Sequence, residues 1–147
     1  MVKDRLQSIE DRYRWRGFHK GTQYSKECWR FGSLLPMEDR YYIISEDDFF
    51  VSGFNVNYKW LNNYCLVAES SICQYSGRED KNGKDIYEGD ILQYDDGTRV
   101  VVVYDSNEHT FMLRKKNCDF PIKFHEGRES VLEIIGNIYK NPELLKQ

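Results

Sequence analysis

Residues Gln74–Tyr94 read QYSGREDKNGKDIYEGDILQY, and the fold depends on whether these acids, lysines and glycines make a ligand loop or a turn between strands. A calcium loop needs oxygen ligands at alternate positions, a glycine at the sixth and a bidentate acid at the twelfth. With Gly83 sixth, the first position is Arg78 and the twelfth Gly89; with Asp80 first, the fifth is Lys84 and the twelfth Ile91. Neither register supplies the ligands. A phosphate cradle needs closely set glycines leading into a helix with Lys and Ser or Thr, whereas Gly77, Gly83 and Gly89 are six apart and strand-like residues follow. Backbone chemistry remains. Asn82-Gly83 suits the two positive-φ positions of a type I′ hairpin turn, and Glu88-Gly89-Asp90 suits a bulge or close backbone approach before ILQY enters a sheet.

Turn signals continue downstream at the regular spacing of a meander or small barrel. Asp95-Asp96-Gly97 precedes TRVVVVY, Asp105-Ser106-Asn107 precedes FMLR, and KKNCDFPIKFHEGRES reads as a long loop. VLEIIGNIY makes a last strand. Asn141-Pro142 then opens a short helix, with Asn141 as N-cap, Pro142 in the first turn and Glu143 near the positive end.

Upstream, Leu6 and Ile9 fit a short amphipathic helix. In RYRWRGF the period is two: Arg12, Arg14 and Arg16 fall on one face, Tyr13 and Trp15 on the other. ECWRFGSLL is a second strand ended by Pro36, and RYYIIS a third. Ser45 either caps a helix over the following acids or begins a loop that tucks in Phe49 and Phe50. FNVNYKW alternates Phe54, Val56, Tyr58 and Trp60 with polar residues, and Asn62-Asn63 suits a tight turn before YCLVA, so a hairpin is expected there.

A chain of 147 residues is the size of one domain, or of two subdomains sharing a core, and folds without staples. Its 15% aromatic content favours pleated, half-buried surfaces over a helical bundle. No apolar run reaches membrane-spanning length and the first residues do not resemble a signal peptide, so a cytoplasmic protein without membrane contact is expected. Cys28, Cys65, Cys73 and Cys118 are spaced unlike zinc or redox motifs and read as reduced thiols. Charge is uneven: residues 1–30 carry eight Lys or Arg against four acids, and residues 31–100 carry six against thirteen. Such asymmetry steers association, with nucleic acid or with another copy.

Two blocks, QYSGREDKNGKDIYEGDIL at 74–92 and EIIGNIYKNPELL at 133–145, resemble in order and spacing the signature of the YopX protein family, small proteins of bacteriophages and prophages. RYRWRGF and CWRFGSLL resemble its amino-terminal aromatic strands more loosely. Departures at Ser76, Arg78-Glu79 and Lys140 fall at turn or surface positions. The resemblance implies a mixed amino-terminal part and a β-rich carboxy-terminal part akin to an SH3-like barrel. It also implies a bacterial cytoplasm, self-association and no catalytic residues to carry over.

The expected fold is therefore α+β and β-rich, with an N-terminal α+β part over 1–72 and an SH3-like small β-barrel with a short terminal helix over 73–147. Asn82, Gly83, Glu88, Gly89, Asp90, Gly136, Asn137, Asn141 and Pro142 read as structural motif residues. Asp90, Asp95 and Asp96 read as turn-fixing acids more readily than as a cation site. His19, His109 and His125, with Cys118 and Glu126, match no known zinc spacing and make a nucleophile–base pair only if folding gathers them. No enzyme activity, cofactor or metal is expected. Arg12, Arg14, Arg16, Lys20 and Arg30 are the partner-binding candidates. They would meet the acids of another copy, or of a phage or host protein, in preference to tracking a nucleic-acid backbone.

Overall fold

A computed structural model describes residues 14–23, 25–45, 47–48, 57–125 and 127–146. The expected helix around Leu6 and Ile9, together with Phe49, Phe50, Phe54 and Val56, lies outside them. The chain divides into two compact units, Met1–Gln74 and Tyr75–Gln147, with all strand pairing antiparallel. No helix among the described residues is long and apolar enough to cross a membrane.

In the first unit, β1 (Trp15–His19), β2 (Cys28–Met37), β3 (Arg40–Ile44) and β4 (Leu66–Val67) lie in the order β4-β3-β2-β1. The first two residues of β5 (Cys73–Glu79) pair with β1 on its other side. β2 changes partner midway: Cys28–Gly32 pair with β1, and Ser33–Met37 with β3. Pro36 therefore does not end the strand as expected. It sits where β2 has a single neighbour, so its missing N–H breaks no second ladder.

FNVNYKW holds no hairpin over its described part, because Tyr58–Tyr64 is a helix, α1. Asn57 caps it, its side-chain oxygen accepting the Trp60 N–H at 3.0 Å. Leu61 turns inward beside Tyr42 and Cys65, while Trp60 and Tyr64, four residues apart, meet at 5.3 Å between ring centroids. Asn62 makes no turn. Its Oδ1 accepts from Tyr42 Oη and Arg40 Nη1, both at 2.9 Å. The Ser45 hydroxyl does not cap: Asp48, in a helical turn, accepts the Ser45 N–H at 2.7 Å and the Ser45 hydroxyl at 3.1 Å.

In the second unit the rest of β5 pairs with β6 (Asp85–Tyr87), and five further strands form a sheet ordered β10-β9-β8-β7-β11. These are β7 (Asp90–Tyr94), β8 (Arg99–Asp105), β9 (Thr110–Lys115), β10 (Ile122–Lys123) and β11 (Leu132–Asn137). Ile86, Leu92, Val100, Val102, Leu113, Phe124 and Leu132 are its core. The sheet does not close: β10 and β11 are its two edges, so the SH3-like barrel expected here is replaced by an open antiparallel sheet. Closure requires both edges to tilt and stagger into pairing, and β10 has only two residues. Part of the stretch expected as one long loop is thus an edge strand.

Both Gly-containing hairpins use the same three-residue loop. Asp80 N–H bonds the Lys84 carbonyl while Gly83 N–H returns to the Asp80 carbonyl; Tyr94, Thr98 and Gly97 repeat the pattern. Gly83 and Gly97 have φ of 76° and 85°, but Asn82 is not among the positive-φ residues. The turn at Asn82-Gly83 is therefore type I with a glycine bulge, not type I′.

Candidate functional site

The amino-terminal arginines do not form one solvated row. β1 is flanked by β2 and β5, and Arg16, expected outward, is only 7% exposed. Its register partner is Phe31, and Phe18 pairs with Trp29, so the aromatic residues share the arginine's face. The Arg16 guanidinium lies 5.0 Å from the Trp29 ring centre, an attraction that offsets part of its lost hydration. Arg30 donates from Nε to the Ile43 carbonyl at 2.9 Å and is ion-paired with Asp48. Arg14 is half-buried ahead of β1, Lys20 is exposed, and Arg12 lies outside the described residues.

Lys20 and Arg40 border a cleft of about 270 Å³ that also carries Asp39, Glu69 and His19. His19 is a structural clamp. Its Nδ1–H donates to the Leu66 carbonyl at 2.6 Å, and Nε2 meets Ser25 Oγ at 2.7 Å. The Ser25 hydroxyl lies 2.6 Å from the Asn63 carbonyl, so β1, the turn after it and the end of α1 are tied together. His109 occupies a positive-φ turn position and His125 is exposed. Among the described residues no group of three His, Cys, Asp or Glu is placed to hold a metal ion; Glu126 lies outside them. Burial pushes the Cys65 thiol up to about 12, the Arg30 guanidinium only partly opposing this, which keeps it unreactive.

In the second unit the signature residues shape backbone. Asp80 Oδ1 accepts from the N–H groups of Asn82 at 2.9 Å and Lys84 at 3.0 Å, and Oδ2 from that of Ile134 at 3.0 Å. Burial works against its charge, yet the N–H groups of Ile134, Lys84 and Asn82 hold the carboxyl below the usual range. Lys81 adds ion pairs to Glu133 at 2.8 Å and Asp95 at 3.4 Å.

Buried Asp90 accepts the Tyr87 N–H at 2.8 Å and so closes the turn through Glu88 and Gly89. Gly89, at φ 81°, donates to the Val102 carbonyl and accepts from Ile138. Asn137 Oδ1 accepts from Tyr139 and Lys140, and a Cβ at Gly136 would meet the Asn141 side chain at 2.7 Å. Asn141 does not cap as expected: its oxygen turns back to the Asn137 N–H at 3.3 Å, and Pro142–Leu145 is a 3₁₀ turn. Arg99, Lys115, Lys116 and Asn117 border a basic cleft of about 580 Å³.

These latches join the two sequence blocks, and a family profile described as YopX protein matches residues 16–146. The chain belongs to the YopX protein family. No curated protein matches it. In this YopX protein, Asp80, Lys81, Asp90, Asn137 and Asn141 of these two blocks shape turns and dock β11.

The most exposed large apolar side chain of the second unit lies outside those blocks. Phe120 is 81% exposed, and Ile122 in β10 is 42% exposed. β10 pairs with β9 through Ile122↔Leu113 and Lys123↔Met112, and its outer edge meets no strand among the described residues. Sequence reasoning placed Phe120 and Ile122 inside the long loop. The signal that would have found them is the period-two spacing of Phe120, Ile122 and Phe124.

Proposed function

We propose that this YopX protein is a non-enzymatic accessory module that acts by binding protein, including further copies of itself, in a bacterial cytoplasm and in the service of a phage or prophage. The observation that carries the reading is the exposed apolar edge at Phe120 and Ile122. Large apolar side chains beside an unpaired strand edge are a template for another chain. The placement of Arg16 and Arg30 adds support, because both cations are engaged within their own unit. That leaves the amino-terminal strand little free positive surface for a polyanion.

A nucleic-acid-binding regulator is the second reading. What favours it is the cleft of Arg99, Lys115 and Lys116, whose charges suit phosphate. Light scattering coupled to size exclusion, at two ionic strengths and with or without a short mixed-sequence DNA duplex, separates the two. The assembly reading expects a species larger than one chain that ignores DNA. A monomer that takes up the duplex at low salt and releases it at high salt would overturn it in favour of the second.

A further inference from the structure

We infer that Asn82 is a site of self-modification, at which the Gly83 nitrogen attacks the Asn82 side-chain carbonyl carbon, and that the Asp80 turn sets the rate. Asn82-Gly83 is the chain's only Asn-Gly pair. Asparagine is a thermolabile residue, and a following glycine, having no Cβ, leaves the attacking nitrogen uncrowded. Both residues are exposed at the tip of the loop between β5 and β6, where a Cβ at Gly83 would meet nothing closer than Glu79 Oε2 at 3.7 Å. Asn107 and Asn117 also lie in exposed turns, but Glu108 and Cys118 follow them and carry side chains beside the nitrogen that would attack.

The only co-reactant is water. The Gly83 nitrogen gives up its proton and bonds to Asn82 Cγ; the carboxamide nitrogen takes up a proton and leaves as ammonia, closing a cyclic imide. Water then opens the ring. Attack at Cγ restores the original main chain with an aspartate at position 82, and attack at the main-chain carbonyl leaves an isoaspartate, whose main chain runs through Cγ. No electron changes hands. The structure also supplies a brake. The Gly83 N–H donates to the Asp80 carbonyl and the Asn82 N–H to Asp80 Oδ1, both at 2.9 Å. While these bonds hold, the nitrogen keeps its proton and the Asn82 backbone cannot turn to bring Cγ to it. Reaction therefore proceeds through molecules whose turn has opened, and its rate follows their population. The consequence falls on the Asp80 latch. An isoaspartate lengthens the main chain of the loop by a carbon, so Asp80 can no longer meet Gly83, Lys84 and Ile134 together. Conversion thus loosens β11 from the turn.

The test is peptide mapping by mass spectrometry of the full chain aged in mildly alkaline buffer, with isoaspartate separated from aspartate by chromatography. Asn82 should convert before any other asparagine. Asp96-Gly97 closes the same ring by losing water and regains it without net change in mass, so the mass gained when an amide becomes an acid reports asparagine alone. Wild type unfolded in urea should convert Asn82 faster than the native chain by about tenfold or more. Asp80→Ala, which removes the side-chain acceptor, should speed conversion in the native chain by about fivefold or more. Val102→Ala, in the core of the same unit, should leave the rate within about twofold, because the turn opens without the core. Conversion of Asn82 no faster than that of Asn107 or Asn117 overturns the site. Equal rates in native buffer and in urea overturn the brake, and that comparison needs no variant to fold. Equal acceleration by Asp80→Ala and Val102→Ala overturns the assignment of the brake to the turn.

Discussion

Asp80 puts three backbone N–H groups on two oxygens, two of them within its own turn and the third, from Ile134, on β11. Asp80→Asn turns an N–H of the new amide toward at least one of those donors, leaving a buried donor unsatisfied at a cost of about 1–3 kcal/mol. Urea denaturation at neutral pH measures this. The pH dependence has a definite sign: a carboxyl held below its ordinary value contributes stability above the unfolded pKa and loses it as pH falls through the folded one. The gap between wild type and Asp80→Asn is therefore widest near neutrality and narrows below about pH 4; a gap constant down to pH 2 would contradict the assignment. Gly89 offers a second test at this scale, with Gly77 as its control. Both have φ near 80°, but a Cβ at Gly89 would stand 2.9 Å from the Tyr139 ring while one at Gly77 meets nothing within 4 Å. Gly77→Ala should carry the conformational cost alone, about 1 kcal/mol. Gly89→Ala should exceed it by about 1–3 kcal/mol, and equal melting temperatures for the two variants would dismiss the contact.

Short elements show where local pattern decides and where it does not. The alternation from Phe54 to Trp60 has the period of a strand, and Asn62-Asn63 has the chemistry of a turn, yet Tyr58–Tyr64 is helical. Seven residues fit either period. The decision falls to Asn57, which caps the first turn, and to burial of Leu61 against Tyr42 and Cys65, a long-range contact no local reading contains. Asn57→Ala should lower stability by about 1 kcal/mol, seen as an earlier thermal transition in the fluorescence of Trp60, the tryptophan inside α1. An unchanged transition would show that tertiary packing alone holds the helix. β7, β8 and β9 were legible because apolar runs between Asp- and Gly-containing turns leave strands little room to move. The turn at Asn82-Gly83 was legible in place but not in type: Asp80, two residues before Asn82, selects a type I loop by accepting from within it. β10 escaped notice because two paired residues make no pattern. Arg16, the arginine of β1, was placed on the wrong side of the burial boundary because its cover, Trp29 and Phe31 of β2, comes from a neighbouring strand that local alternation does not contain.

For the whole molecule, most strands of the second unit were readable from its turns, but β10 and the question whether the sheet closes were not. Closure is a property of edges that lie far apart in sequence, β10 and β11 here, and composition does not register it. Burial is likewise global, and the four cysteines give it a direct readout. Cys28 and Cys118 are exposed, whereas Cys65 and Cys73 are fully buried, and burial drives the Cys65 thiol up to about 12. Alkylation of the native chain at pH 8 should therefore modify Cys28 and Cys118 and spare Cys65 and Cys73, with all four reacting in denaturant. Because the thiolate is the nucleophile, Cys65 reacts only through molecules whose first unit has opened, and its rate tracks that population. Leu61 packs beside Cys65 and carries its backbone bond, the Cys65 N–H donating to the Leu61 carbonyl at 2.9 Å. Leu61→Ala removes about 2–5 kcal/mol of packing, so mass spectrometry should find Cys65 labelling accelerated by at least about tenfold while Cys118, in the other unit, keeps its rate. Native Cys65 labelling as fast as Cys28 would refute the buried placement.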